Sequence, residues 1–311
     1  MQESGMHVVA GAGPVGRAIL DELVDRRLPV RAIVRRRVAD LPDEVEVVEA
    51  DLTDPGVTAR AMAGAAVVYH AASAPYDRWP ELLPPLMRGI VAGAVACGAR
   101  IVYADNLYAY GPVPGPLTED LQSHATGPNG RVRAILADDL MDAHAAGSVR
   151  ATIGRASDYF GPRGLQSIAG ERLFGRAVAG KSAQVLGNPD VPHTLTYLPD
   201  FGRALVTLGT REEALGHVWH VPSAETLTSR EFAALVFEAL GRPLNLQVMP
   251  STLLAVAALF SPTLRAVQEQ RYQRDAPWIV DHSRFARAFG ADVTPHREAI
   301  ATTTAWFSRQ A

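Results

Sequence analysis

Among 311 residues there is one cysteine, Cys97. That excludes an internal disulfide framework and any cysteine-based zinc cluster, and Cys97 reads as a small buried hydrophobe in the helical stretch 90–97. An excess of charge of either sign is also missing. Thirty Lys+Arg against 33 Asp+Glu leave a net charge of −3 with the signs interspersed, which offers no footprint for a nucleic acid. The most apolar run, Leu253 to Phe260, has eight residues and is too short to cross a bilayer, so no membrane partner is expected. It suits a buried helix or a lid over a pocket. The nine histidines show no H-E-x-x-H or other ligand spacing, so no metal is expected. There is no G-x-S-x-G elbow, and Asp281-His282-Ser283 has the composition of a hydrolase triad with its members adjacent, where they rarely converge. The first residues, MQESG, are polar and run directly into a strand, without the pattern of a secretory signal, which points to a cytoplasmic protein.

What the chain does have is concentrated between Met6 and Arg17, in M-H-V-V-A-G-A-G-P-V-G-R. A short apolar strand leads into a turn with Gly11, Gly13 and Gly16, and a helix opens at Pro14 and Val15. In such a turn the first glycine permits the tight exit, the second lets the backbone approach a pyrophosphate, and the third lets helix and strand pack closely. The helix offers free N–H groups and a positive dipole end to the phosphate. Val15, Ala18, Ile19 and Leu23 fall on one face of it.

Further apolar strands are expected at 29–34, 45–49, 66–70, 101–104 and 149–154, alternating with helical patterns at 14–26, 58–62, 81–97 and 131–146. Short apolar strands alternating with helices signify a parallel sheet covered on both faces. After Gly161-Pro162 the order changes, with helical patterns at 169–179, 228–240, 253–273, 283–289 and 297–308, and Asp200 read as the cap of a helix over 201–209.

The end of the second strand bears on the dinucleotide. An acidic residue there would bind the adenosine ribose hydroxyls and favour NAD. Arg35 occupies the place, followed by Arg36 and Arg37. A guanidinium pairs bidentately with a 2′-phosphate, so NADP is expected, with NAD the alternative; a solvated basic turn is the plainer reading of the same residues.

Together with Asp51-Leu52, His70-Ala71-Ala72, Tyr108-Ala109-Tyr110-Gly111-Pro112, Arg155 to Pro162, Tyr197 to Asp200 and Trp219 to Ser223, the glycine turn makes the chain resemble the extended short-chain dehydrogenase/reductases, the NAD-dependent epimerase/dehydratase group. Its G-x-G-x-x-G spacing is more similar to the atypical branch of that superfamily. The resemblance implies an α/β fold: a doubly wound Rossmann domain over 1–162 with return segments at 194–222, and a smaller, mostly helical substrate lobe from 163–193 and 223–311. It implies that Asp51 and Leu52 flank the adenine, that Ala71, Ala72 and Ser73 lie along the ribose and phosphates, and that Tyr159 reaches the cofactor. It also implies a homodimer, through the helices near 81–97 and 131–146.

Enzymes of that superfamily use a Ser or Thr, a Tyr and a Lys, the last two as Y-x-x-x-K at the opening of the helix near Arg131. No tyrosine lies between Tyr110 and Tyr159 and no lysine lies there either, and Asn106 stands where the Ser is expected. Two readings stay open. In one, the protein is an oxidoreductase or epimerase/dehydratase-like enzyme acting on a small carbonyl or hydroxyl compound. Asn106 then donates to a substrate oxygen, Tyr108 or Tyr110 supplies the proton with Arg131 or Arg133 lowering its pKa, and Asp105 is a further acid/base. In the other, the protein binds a dinucleotide without turnover, as a sensor. Tyr76 and Trp79, after the fourth strand, are candidates to wall a substrate pocket at the carboxyl edge of the sheet, and His193 to face the substrate lobe.

Overall fold

The computed structural model describes residues 5–38, 40–249 and 251–310. The terminal MQES and the side chains of Leu253 and Leu254 lie outside the described residues. In chain order the first elements are β1 (Met6–Ala10), α1 (Pro14–Asp25), β2 (Val30–Val34), β3 (Glu46–Glu49), α2 (Pro55–Ala61), β4 (Ala65–His70), α3 (Trp79–Cys97), β5 (Arg100–Asn106), α4 (Pro128–Ala145) and β6 (Arg150–Ala156). There follow β7 (Tyr159–Phe160), a π-turn leading into the short α5 (Arg176–Val178), β8 (Ala183–Leu186), β9 (Pro192–His193), β10 (Thr196–Tyr197), α6 (Leu198–Thr210) and β11 (Val218–His220). The remainder is β12 (Leu227–Thr228), α7 (Ser229–Ala239), β13 (Leu246–Met249), α8 (Ser251–Ala258), α9 (Pro262–Glu269), α10 (Tyr272–Asp275), α11 (Ser283–Phe289) and α12 (His296–Ser308).

The chain divides into two compact units, each drawn from three segments. The first comprises 1–106, 131–155 and 201–221, the second 107–130, 156–200 and 222–311. In the first, seven parallel strands form one sheet in the order β11-β6-β5-β4-β1-β2-β3. This is the doubly wound order, in which the chain reverses its march across the sheet between β1 and β4. The central strands are apolar almost throughout, because both of their faces are covered: Val8, Val9 and Ala10 of β1 are wholly buried, as are Val68 and Tyr69 of β4. Cys97, expected in the interior, is only half-buried; its Sγ lies over the Gly93 carbonyl on the last turn of α3.

The second unit has two apolar clusters. Phe160, Phe174, Phe232 and Phe307 form the larger, with Phe160 edge-on to Phe232 at 4.9 Å. Leu107, Tyr110, Leu117, Trp278 and Val280 form the other. The Leu117 N–H donates to the Ile279 carbonyl. These contacts draw residues 107–130 into the second unit, whereas the sequence assigned them to the first. Alongside its helices the unit contains three two-stranded sheets, β10-β7, β12-β9 and β13-β8. α7 has the full capping box that its sequence announces, with Thr228 and Glu231 bonded to each other's backbone N–H groups.

Two expectations fail here. Asp200 does not cap a helix over 201–209, because α6 starts at Leu198; its carboxylate accepts from the N–H and hydroxyl of Thr294 instead. The run 253–260 is not a buried helix: Val256 is 57% exposed, Leu259 71% and Phe260 85%. Among the described residues no helix is long and apolar enough to cross a membrane.

Candidate functional site

The glycine turn has the geometry its spacing calls for. Gly11 sits at φ +96°, and a Cβ there would lie 2.6 Å from the Ala72 backbone. A Cβ on Gly16 would lie 1.9 Å from the Gly11 carbonyl oxygen, so the start of α1 and the end of β1 approach as only glycine allows. Gly13 differs from both: nothing lies within 4 Å of where its Cβ would be. It is the residue before α1 and its extended backbone brings no side-chain cap to the helix. The first N–H groups of α1 thus have no side-chain cap as acceptor, beside the positive end of the helix dipole. That is a cradle for a diphosphate, and the residues present fit a dinucleotide. Pro14 occupies the first helical position, where its missing N–H costs nothing.

Around the turn, Arg35 follows β2 directly and is exposed, as are Arg36 and Arg37. Among the described residues Arg35 makes no ion pair. Its charge reaches Asp51, whose carboxyl is held below the usual carboxylate range chiefly by hydrogen bonds from the Thr53 N–H and hydroxyl. Asp51 is thereby a turn-former, with spare lone pairs still open to solvent. Leu52 is buried, Ala71 and Ala72 half-buried, and Ser73 exposed beyond the carboxyl end of β4.

At that carboxyl edge three adjacent strands each contribute one side chain to a buried charged group. His70 ends β4, Asp105 is the penultimate residue of β5, and Arg155 that of β6. The Asp105 carboxylate, wholly shielded from solvent, accepts from Arg155 Nε at 2.9 Å and from Arg133 Nη1 at 3.3 Å. Arg133 also donates to the Tyr103 hydroxyl at 2.7 Å and lies 4.3 Å above the Trp79 ring. Trp79 itself is tied to the Ala74 carbonyl through its indole N–H, and Tyr76 packs edge-on to it while staying half-exposed. Burial and the like charge of Arg133 push the His70 imidazole down to about 3, so it is neutral at pH 7. Burial likewise pushes the Tyr103 phenol up to about 12.

This geometry sorts the acid/base candidates. Asp105, expected as a further acid/base, is wholly buried between two arginines, the arrangement of an anchor. Arg133 is spent on Asp105, Tyr103 and Trp79. Tyr110 is a packing residue, 1% exposed in the smaller apolar cluster of the second unit. Asn106 and Tyr108 remain: Asn106 closes β5 half-exposed, and Tyr108 opens a single 3-10 turn, also half-exposed.

The start of α4 bears on the place where Y-x-x-x-K was expected. α4 begins at Pro128, three residues before the expected start, so its first two turns carry Asn129 and Arg133 four residues apart on one helix face. Asn129 is buried, and an amide has no proton to trade near neutral pH. The chain's one lysine, Lys181, follows α5 in the other unit and is exposed. Both facts were legible in the sequence, given the helix start.

In the second unit, Tyr159 is half-buried on β7. His193 is buried; its Nδ1 is 2.9 Å from the Gln273 carbonyl, and its Nε2 lies 3.2 Å from the Asp158 carboxylate without the alignment of a hydrogen bond. With Leu195, Leu173, Phe232 and Arg274 it lines a narrow cavity of about 30 Å³, room for a water. Among the described residues no three His, Cys, Asp or Glu side chains converge as a metal site.

The profile described as the NAD dependent epimerase/dehydratase family matches residues 7–221, more than half of the chain. The chain belongs to that family. Solved structures similar to this family member share its fold nearly end to end. The Thermus thermophilus UDP-glucose 4-epimerase in complex with NAD has a TM-score of 0.77 at 20% identity, covering 97% of this chain and 98% of that one. The Bordetella bronchiseptica enzyme WbmH in complex with NAD+ has 0.74 at 22%, covering 97% and 98%. The Bacillus cereus UDP-glucuronic acid 4-epimerase in complex with NAD has 0.79 at 15%, covering 98% and 99%. No curated protein matches the chain by sequence.

Proposed function

We propose that this family member is an NAD(P)-dependent, epimerase/dehydratase-like enzyme that acts on a small hydroxyl- or carbonyl-bearing substrate with a non-standard catalytic set. The observation that carries the reading is the open cradle at Gly13, an uncapped helix start kept clear of side chains by three glycines. A bound dinucleotide supplies hydride transfer. Asn106 donates its amide N–H to the substrate oxygen, and the Tyr108 hydroxyl gives or takes the proton. Arg133, fixed beneath Trp79, has no part in that transfer, and a guanidinium is no proton relay. The similar structures with UDP-glucose or UDP-glucuronic acid epimerase in their names support a sugar nucleotide as the substrate class.

Arg35 supports NADP as the dinucleotide, since it is exposed, unpaired among the described residues, and stands at the end of β2. Exposed Val95 on α3 and Ile135 on α4 support a homodimer.

The test couples binding to turnover. Reduced-dinucleotide fluorescence titrations are expected to show binding that Arg35→Ala weakens about tenfold or more for NADPH and less than threefold for NADH. Equal losses would remove the 2′-phosphate assignment. Incubation with UDP-glucose, UDP-galactose and UDP-glucuronate, with products separated by chromatography, is expected to show conversion that Tyr108→Phe lowers about 10²-fold or more. Undiminished conversion in that variant would overturn the role of Tyr108. One observation favours a second reading: Asn129 in the tyrosine register leaves no titratable group there. Dinucleotide binding without product on any substrate would make the protein a sensor.

A further inference from the structure

A second cavity in the same unit lies across the segment that carries His193. Successive residues of an extended segment point to opposite faces. His193 and Leu195 line the narrow cavity described above, whereas Thr194 between them lines one of about 410 Å³. Ser223, Thr226, Val280, His282 and Pro295 complete most of its wall. Small-molecule sites run from about 300 to 1,000 Å³.

Its hydroxyls are ordered in two chains of one design. The Val280 N–H donates to Thr194 Oγ1 at 3.0 Å, and Thr194 Oγ1 lies 2.7 Å from Thr226 Oγ1. The Ser157 N–H donates to Thr196 Oγ1 at 3.2 Å, and Thr196 Oγ1 lies 2.9 Å from Ser223 Oγ. Each inner threonine is buried and already accepts from the backbone. When it passes its own proton outward, the outer hydroxyl of Thr226 or Ser223 keeps a proton for the cavity. His282 belongs to the wall, but its Nδ1 is shielded from solvent and is not offered to a ligand in the cavity. Burial holds its imidazole below the ordinary range, so at pH 7 it is neutral. Among the described residues no lysine or arginine lines the cavity, the charges that act on His282 are the carboxylates of Asp281 and Glu119, and exposed Glu225 belongs to the wall.

We propose that this cavity is a binding site for a neutral polyhydroxylated ligand of monosaccharide to disaccharide size. Hydroxyls held in place by the backbone N–H groups behind them, each able to give or take a hydrogen bond, match groups that do the same, as sugar hydroxyls do. An anionic sugar would meet carboxylates and no cation. The inference does not depend on the redox reading, because every group in it belongs to the second unit and none to the glycine turn.

Calorimetric titration and saturation-transfer NMR on the full chain test it, with D-glucose, D-galactose and myo-inositol as neutral probes and D-glucuronate as the anionic one. The expected result is saturable binding of at least one neutral probe, with glucuronate weaker. Thr226→Val and Ser223→Ala should each lose about 3–10-fold in affinity, the range of one hydrogen bond. Thr226→Ser should restore the loss, and NADH binding should be unchanged in all three variants. Absence of saturable binding by every neutral probe, equal or tighter glucuronate binding, or undiminished affinity in both Thr226→Val and Ser223→Ala would overturn the proposal. A loss in Thr226→Val that Thr226→Ser does not restore would overturn the hydroxyl chain.

Discussion

Asp105→Asn separates an anchor from a catalyst. The substitution keeps the shape of the side chain and one acceptor oxygen but removes the anion that two buried guanidiniums share. Arg155 at 2.9 Å and Arg133 at 3.3 Å would then face each other's charge in a site from which water is excluded. Breaking a buried ion pair by removing one partner costs about 3–5 kcal/mol, and a shared anion places the cost in the upper half of that range. At about 2–4 °C per kcal/mol for a unit of this size, the unfolding midpoint should fall by roughly 8–20 °C. Far-UV circular dichroism during heating, and urea titration at fixed temperature, read the change. Asp139→Asn, on the exposed side of α4, should shift stability by no more than about 0.5 kcal/mol. Adding Arg155→Met to Asp105→Asn should recover part of the loss, because it removes one stranded cation. The reasoning is refuted if Asp105→Asn keeps the wild-type midpoint while conversion of substrate collapses, for then the carboxylate does chemistry and not anchoring.

Two further outcomes follow from the same geometry. Gly16→Ala should destabilise the protein and weaken NADH binding together, since its Cβ meets the Gly11 carbonyl, whereas Gly13→Ala should leave the unfolding midpoint nearly unchanged and weaken only binding; thermal unfolding beside fluorescence titration distinguishes them. His70 stays neutral in the fold down to about pH 3, while in the unfolded chain it takes a proton below about 6.5, so stability should fall as pH drops through that window by up to tenfold in equilibrium constant per unit. His70→Leu should flatten the profile by about one proton, and identical slopes would rule out a neutral native imidazole.

Much of the fold could be read from the sequence because buried parallel strands are uninterrupted apolar runs. His7 to Ala10 and Ala65 to Tyr69 announce themselves, and the glycine turn between strand and helix marks the place proposed for the dinucleotide. Local chemistry was equally plain at Thr228, whose capping partner is three residues away. What stayed hidden was set by long-range partners. Asp200 looked like a cap since nothing nearby reveals that Thr294 claims its carboxylate. Asp105 looked reactive for the same reason: its two arginines are 28 and 50 residues distant. Gly127-Pro128-Asn129-Gly130 resembles a turn, which concealed the true start of α4 and with it the Asn129–Arg133 register. At 253–260 composition shows that the residues are apolar but cannot show that Leu259 and Phe260 face solvent.

The way the first unit is threaded matters during synthesis. β6 ends at Ala156, yet the strand that covers its open side, β11, does not begin until Val218. A ribosome must therefore make the whole of residues 157–217, α6 included, while the backbone N–H and C=O groups along one side of β6 have no strand partner. An uncovered strand edge is a template for pairing with another chain. The interval between those two residues is when the nascent polypeptide is most exposed to mispairing, and when a holdase that shields a strand edge would act.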